Sequence, residues 1–173
     1  MIRPVTLDDA KAINDIYNGY VLNDTVTFDI EPYTLEEMRQ CISNISAQSL
    51  YFVYEVEGKV VAYCYAHTWK GRVAYQNTLE TTIYVSPSSL RKGIGKLMME
   101  DLIETCRKKG YHALVACITS GNEASFKLHE KLGFKKVAEF EEVGRKFDKW
   151  LGVRYYEFLL SSTTASCSAD SAK

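Results

Sequence analysis

The stretch from residue 74 to 118 constrains the fold more than any other part of the chain, because it reads as a strand, a helix and a second strand in succession. Residues 74–85 are rich in β-branched and aromatic side chains and stop at Ser86-Pro87. Ile94, Leu97, Met98, Leu102 and Cys106 then recur at helical spacing, and Gly110 stands where a left-handed cap closes a helix. Leu114 to Ile118 follow as a short buried strand. A helix that crosses between neighbouring strands forces them to run parallel, so the sheet must hold at least one parallel pair.

Around that unit the other elements are marked locally. Thr6-Leu7-Asp8-Asp9 and Thr34-Leu35-Glu36-Glu37 each set a threonine three residues before an acid, the pattern in which side chain and backbone satisfy each other at a helix start. Helices are therefore expected near 7–20 and 35–46. Tyr51 to Val56 and Lys59 to Trp69, separated by Glu57-Gly58, read as a hairpin. A helix over 121–132, ended by Gly133, precedes strands near 134–141 and 152–160, which a long basic and aromatic segment joins. The order is β, two helices, three strands, helix, strand, helix, two strands. Such an order describes one α/β domain over residues 1–160, built on a mixed sheet flanked by helices. Residues 161–173 contain five Ser, two Thr and three Ala and no large apolar side chain, which predicts a disordered tail.

Charge and cysteine usage exclude several partners. Twenty-one Lys and Arg against 22 Asp and Glu supply no broad basic footprint for nucleic acid or an anionic membrane, so any bound anion must be held locally. The longest apolar run, Val60 to Ala66, falls far short of the roughly 20 residues that a membrane span needs, and Met1 runs into Ile2-Arg3-Pro4 with no apolar leader. Five dispersed cysteines offer neither a CxxC pair nor a zinc knuckle and read as reduced thiols in a cytoplasmic protein. His67, His112 and His129 have no metal spacing and a GxSxG elbow is absent, so no metal and no hydrolase chemistry is expected.

Two segments carry ligand-binding potential. Leu90-Arg91-Lys92-Gly93-Ile94-Gly95-Lys96 lies between a strand and a helix, where glycines let the backbone approach a ligand and free helix-start amides point at an anion such as pyrophosphate. A tight connection with solvated charges would look the same in isolation. Met98 at the third glycine position breaks the dinucleotide fingerprint, and Leu97 after Lys96 breaks the P-loop pattern. Further on, Asn122, Ser125 and His129 fall on one stripe of a helix, which fits a ligand face as well as an N-cap and a surface histidine.

Taken together, Ile83-Tyr84-Val85, the turn 91–96, the Asn122-Glu123-Ala124-Ser125 helix start and His129-Glu130-Lys131-Leu132-Gly133-Phe134 resemble the GNAT acetyltransferase superfamily. More narrowly, Thr25-Val26-Thr27-Phe28, Trp69-Lys70-Gly71-Arg72-Val73-Ala74-Tyr75 and Glu80 to Pro87 are similar to the phosphinothricin acetyltransferase group. The resemblance implies a mostly antiparallel sheet with strands splayed at an acetyl-CoA site. There Ile83, Tyr84 and Val85 would offer backbone groups to the pantetheine arm, and Arg91, Lys92, Gly93, Ile94, Gly95 and Lys96 would wrap the pyrophosphate. Asn122 and Ser125 would lie on the cofactor side. Leu90 replaces the Gln or Arg that relatives often carry, and is expected to contribute apolar packing.

For the chemistry, the resemblance implies N-acetylation of a small amino-acid-like amine by direct attack in a ternary complex. Glu80 sits among strand hydroxyls, where it serves either as the base for the acceptor ammonium or as half of a cross-strand ion pair. His129 stands where many relatives place a tyrosine, and is either the acid that protonates the departing thiolate or a packing residue. Arg72 is positioned to fork onto an acceptor carboxylate or to form a surface ion pair, with Tyr75 and Phe28 shaping the pocket. Gly144 to Leu151 interleaves charge and aromatics over too short a span for nucleic acid, and is expected to be a substrate lid or the contact of a homodimer. A peptide or polyamine acetyltransferase and a non-catalytic acyl-CoA sensor are the alternatives.

Overall fold

The computed structural model describes residues 1–160, and the tail expected over 161–173 lies outside them. Eleven regular elements follow one another: β1 (Ile2–Pro4), α1 (Ala10–Asn23), α2 (Leu35–Ser46), β2 (Leu50–Val56), β3 (Lys59–Thr68), β4 (Thr78–Val85), α3 (Ile94–Lys108), β5 (Ala113–Thr119), α4 (Glu123–Lys131), β6 (Lys135–Lys146) and β7 (Lys149–Leu159). Their order is the expected one. The strands form a single sheet in the order β1-β2-β3-β4-β5-β7-β6, in which β4 and β5 are parallel and every other pair is antiparallel. The parallel pair is the one that α3 bridges, as the crossover argument requires.

Both threonine–acid starts form. Thr34 N–H donates to Glu37 Oε2 at 2.8 Å while Glu37 N–H donates back to Thr34 Oγ1 at 3.2 Å, and α2 begins at Leu35. Thr6 N–H donates to Asp9 at 2.8 Å, but the first turn, Leu7–Asp9, is a 3-10 turn, and α1 runs from 10 to 23 instead of 7 to 20. Asp9 is diverted because its carboxylate also takes a two-pronged bond from Arg3 of β1, at 2.8 Å each, which ties the helix entry to the sheet.

Side chains alternate across the sheet, so each face buries its own helix pair. Tyr51, Val53 and Tyr63 pack against Ile13, Ile16, Met38 and Ile42 of α1 and α2. Ala62, Cys64, Ala66, Leu79, Leu114 and Ile118 pack on the other face against Met98, Met99 and Leu102 of α3 and Phe126 of α4. The buried stripe of α3 is Ile94, Met98, Met99, Leu102, Ile103 and Cys106, whereas Leu97, expected in it, is 48% exposed. Met99 and Ile103 complete the 100°-wide stripe that 3.6 residues per turn demands, and Leu97 lies outside it.

Two boundaries depart from expectation. Residues 73–75 form a 3-10 turn, and β4 starts only at Thr78, so Tyr75 leaves the strand alternation and joins a loop. The basic and aromatic segment after residue 141 is strand, not connector: β6 and β7 continue to a two-residue turn at Phe147-Asp148, both with left-handed backbone (φ 50° and 57°). A wet edge hairpin carries charge and rings on both faces, so it lacks the alternation that advertises a half-buried strand.

Candidate active site

The sheet opens at its parallel pair. β4 and β5 are paired over three positions only, Thr78↔Ala113, Leu79↔Leu114 and Glu80↔Val115. Beyond Glu80, β4 continues beside β3 to Val85 while β5 continues beside β7 to Thr119, so a gap widens between them. Hydrogen bonds from Ser86 N–H to the Val61 carbonyl and from Trp69 N–H to the Thr78 carbonyl fix the phase of the β3–β4 ladder. Even-numbered residues of β4 therefore direct their main-chain groups at β3, and Ile83 and Val85 direct theirs into the gap. Tyr84, expected to share that task, turns its main chain to β3 and its ring to Tyr17, Tyr20 and Tyr63. Tyr20 Oη already donates to the Val85 carbonyl at 2.6 Å.

At the mouth of the gap, a 3-10 turn at Pro87–Ser89 leads into the glycine-bearing turn. Arg91 and Gly93 both take left-handed backbone (φ 61° and 79°), a conformation costly for arginine, and α3 then begins at Ile94. Arg91, Lys92, Gly93 and Lys96 are exposed around the free amides of that helix start, and Lys96 also pairs with Glu100 at 3.2 Å. A Cβ added at Gly95 would meet Leu128 of α4 at 3.5 Å and Ile83 and Val85 at 3.7 Å. Those are ordinary contacts, so packing within the chain does not demand glycine there. The turn, the end of β4 and α4 thus converge on the Gly95 backbone. Leu90 is 48% exposed, which corrects the expectation that it packs.

On α4, Asn122 Oδ1 accepts the Ser125 N–H at 3.1 Å and so acts as the N-cap. His129 is 3% exposed, edge-on to Phe134 at 5.0 Å and tilted against Tyr156 at 6.4 Å. Its Nδ1–H donates to the Ser125 carbonyl at 2.9 Å, since a carbonyl only accepts, and the Ser125 hydroxyl lies 3.3 Å from the same nitrogen. Burial pushes the imidazole pKa down, the Ser125 carbonyl opposing it. Burial thus favours the neutral ring, with Nδ1–H held by the Ser125 carbonyl and Nε2 left as its acceptor.

Glu80 stands at the fork itself, half-buried, on the α1/α2 face, directly across from His67. Burial raises its pKa and His67 opposes the shift. Neighbouring groups that feel its charge are Tyr65, pushed up to about 12 by burial, Cys117, pushed up by burial, and Tyr155, pushed up to about 12 by its hydrogen bond with Cys117 and by burial. Among the described residues Glu80 makes no ion pair, so the cross-strand bridge weighed above is absent.

The remaining expected residues surround that face. Lys70, Gly71, Arg72 and Tyr75 line a shallow hollow at the end of the β3–β4 connection. Trp69 and Tyr75 meet edge-on at 5.2 Å, with Lys70 Nζ 4.4 Å above Trp69. Arg72 is exposed and, among the described residues, unpaired. Phe28 lies in the α1–α2 connection with its ring against Gly144 of β6. Two residues that the sequence did not single out hold this wall. Buried Lys146 donates to the Thr27 carbonyl at 2.9 Å, and Tyr17 Oη bridges Thr27 Oγ1 at 2.8 Å and Asp29 at 2.6 Å. The segment expected to be a lid is thereby clasped to the α1–α2 connection. Among the described residues no group of three or more His, Cys, Asp or Glu is placed to hold a metal, and no helix is long and apolar enough to cross a membrane.

Comparison with known proteins agrees with this geometry. The family model of the acetyltransferase (GNAT) domain matches residues 2–152. A phosphinothricin N-acetyltransferase of Streptomyces coelicolor is 34% identical over 160 residues, covering 90% of this chain and 94% of its own. An L-methionine sulfoximine/L-methionine sulfone acetyltransferase of Pseudomonas aeruginosa is 32% identical over 168 residues, covering 95% and 97%. The crystal structure of a phosphinothricin acetyltransferase from Sinorhizobium meliloti in complex with acetyl-CoA superimposes with a TM-score of 0.91 at 32% identity, covering 96% of this chain and 91% of that one. With a sheet that forks at one parallel pair, a glycine turn at the mouth of the fork and a family match over most of its length, the chain belongs to the GNAT acetyltransferases.

Proposed function

We propose that this protein transfers the acetyl group of acetyl-CoA to the primary amine of a small amino-acid-like acceptor, of the phosphinothricin or methionine sulfone type, by direct attack in a ternary complex. The observation that supports the reading is the place of Glu80: the gap opens one residue past a half-buried carboxylate, which suits that carboxylate to serve as the base. Acetyl-CoA supplies an activated acetyl thioester. Ile83 and Val85 line its pantetheine arm, and residues 91–96 with the start of α3 hold its pyrophosphate. Asn122 and Ser125 bound the same groove from α4.

An ammonium must lose two protons to become an amide, and two groups divide that task. Glu80 takes the first, freeing the lone pair for attack. The N–C bond then forms and the C–S bond breaks. His129 Nε2 takes the second proton from the acceptor nitrogen and hands it to the departing sulfur, a relay for which a ring neutral at rest is the right starting state. Arg72 forks onto the acceptor carboxylate, while Tyr75 and Phe28 bound the side chain. A polyamine or peptide acceptor would call for an acidic groove, and the hollow at 70–75 carries Lys70 and Arg72 instead. The site of action is the cytoplasm, where acetyl-CoA and reduced thiols are both available.

Thiol release measured with phosphinothricin, methionine sulfone, its amide, free amino acids, a polyamine and peptides tests the reading. Arg72→Ala should lower kcat/KM for methionine sulfone by roughly tenfold to a hundredfold and spare the amide, because a charged partner is worth about 1.5 to 3 kcal/mol. Equal loss on acid and amide, or a wild type that prefers polyamine, would defeat it.

A further inference from the structure

Among the described residues, one buried side-chain nitrogen or oxygen lacks a hydrogen-bond partner: Nδ1 of His67. Native proteins pair the large majority of such atoms, so an orphan calls for a reason, and one beside the proposed base fits a group kept for a ligand. His67 lies on β3 directly opposite Glu80, and side chains opposed in this way stand about 5 Å apart on one face of the sheet. Its ring is fixed by a tilted contact with Tyr65 at 5.6 Å. Toward the hollow that holds Arg72, the chain leaves β3 after Thr68, and Trp69 N–H donates to the Thr78 carbonyl at 3.3 Å. A molecule whose nitrogen reaches Glu80 is therefore next to the His67 side chain in the sheet register.

We infer that His67 is an acceptor-binding residue whose Nδ1 accepts a hydrogen bond from the acceptor amine, so that primary amines are held between Glu80 and His67. The inference rests on the acetyltransferase reading above and adds to it the group that seats the nucleophile. An ammonium carries three N–H donors, and a neutral imidazole with its hydrogen on Nε2 presents Nδ1 as a bare lone pair. One N–H meets the Glu80 carboxylate and a second meets Nδ1. When Glu80 removes its proton the His67 bond persists, and the new lone pair keeps its orientation toward the gap between β4 and β5. A single fixed contact would leave the nitrogen free to rotate, and orientation of the attacking atom is where much of the rate advantage of a ternary complex originates.

The test uses the full chain with L-methionine sulfone and L-methionine sulfone amide as acceptors at saturating acetyl-CoA. His67→Ala should lower kcat/KM by roughly tenfold to a hundredfold and equally for both acceptors, because the lost bond is to the amine that they share. His67→Asn, whose side-chain oxygen falls near the place of Nδ1, should recover most of the loss. His67→Gln, whose polar end falls near Nε2, should not. KM for acetyl-CoA should stay at the wild-type value in all three, which also establishes that they fold. Calorimetric titration of methionine sulfone into protein saturated with desulfo-CoA should show the same ranking without turnover. Loss confined to the acid would mean that His67 reads the carboxylate, and an Ala variant with wild-type kcat/KM would remove it from the site; either overturns the inference. If the wild type acetylates only a polyamine, the amino-acid reading fails, and the same ratio measured with the polyamine still decides the role of His67.

Discussion

Gly144→Ala is the most direct probe of the acceptor wall. A Cβ built on Gly144 falls 2.5 Å from Cδ2 and 3.0 Å from Cζ of Phe28, with Cε2 nearer still. Carbon atoms rest about 3.5 to 4.0 Å apart, so the ring must retreat by roughly 1 Å or more. Retreat is opposed, because the preceding residue is pinned from both sides: Lys146 holds the Thr27 carbonyl at 2.9 Å and Tyr17 holds the Thr27 hydroxyl at 2.8 Å. Overpacking against a fixed neighbour costs about 1 to 3 kcal/mol, which for a chain of this size lowers Tm by roughly 3 to 10 °C. On the proposed assignment of Phe28 to the acceptor and of the turn 91–96 to acetyl-CoA, the same displacement should raise KM for the acceptor and leave KM for acetyl-CoA unchanged. Thermal unfolding followed by circular dichroism and kinetics with each substrate varied in turn read the two effects separately. In the Phe28→Ala background the added methyl has nothing to strike, so Gly144→Ala should cost almost nothing there, giving a coupling of about 1 kcal/mol or more. Strict additivity of the two substitutions, or a Gly144→Ala protein with wild-type Tm and acceptor KM, would refute the reasoning.

Glu80→Gln should keep acetyl-CoA affinity and lose about a hundredfold to ten-thousandfold in turnover. Because burial raises the Glu80 pKa, the acidic limb of wild-type kcat/KM should lie above the ordinary carboxyl value of about 4.3, and the Gln variant should lack that limb; pH profiles of both decide it. Gly95→Glu should abolish CoA binding by calorimetry while the protein stays folded, since it adds bulk and a like charge beside the phosphates. Asp9→Asn should destabilise by about 1.5 to 3 kcal/mol in denaturant titrations at neutral pH, through loss of the Arg3 fork. Arg3 first of all holds the Asp9 carboxyl below the usual range, so its contribution is present above the unfolded pKa of about 4 and disappears as pH falls through the folded value; wild type and variant should converge in acid.

Much of the fold is legible in the sequence because its signals are short-range. The Thr34–Glu37 reciprocal bond closes within four residues, and Gly58, at φ 77°, supplies the left-handed position that lets the two-residue turn at Glu57-Gly58 close its hairpin locally. The run of strand, helix and strand from 78 to 119 specifies the parallel pair, and with it the place where a sheet can fork. The glycine turn, Glu80 and the α4 stripe were visible for the same reason: each motif is contiguous, or spaced by one helical or strand period.

What the sequence could not reveal depends on which residues become neighbours across long separations. That β6 and β7 are strands to their tips follows from pairing with each other and with β5, not from an alternating pattern of their own. Leu97 is excluded from the core because two other apolar residues, Met99 and Ile103, face the sheet better. The lowered pKa of His129 comes from its burial, with Phe134 and Tyr156 packed against it, and the standing of His67 beside Glu80 comes from the register of β3 on β4. Lys146 reads as one more charge in a basic segment until tertiary structure sets it on a carbonyl 119 positions away. Hydrogen bonds within a turn are decided by the residues of that turn, whereas burial, pKa and pocket walls are decided by contacts whose partners exist only once the sheet has closed its register.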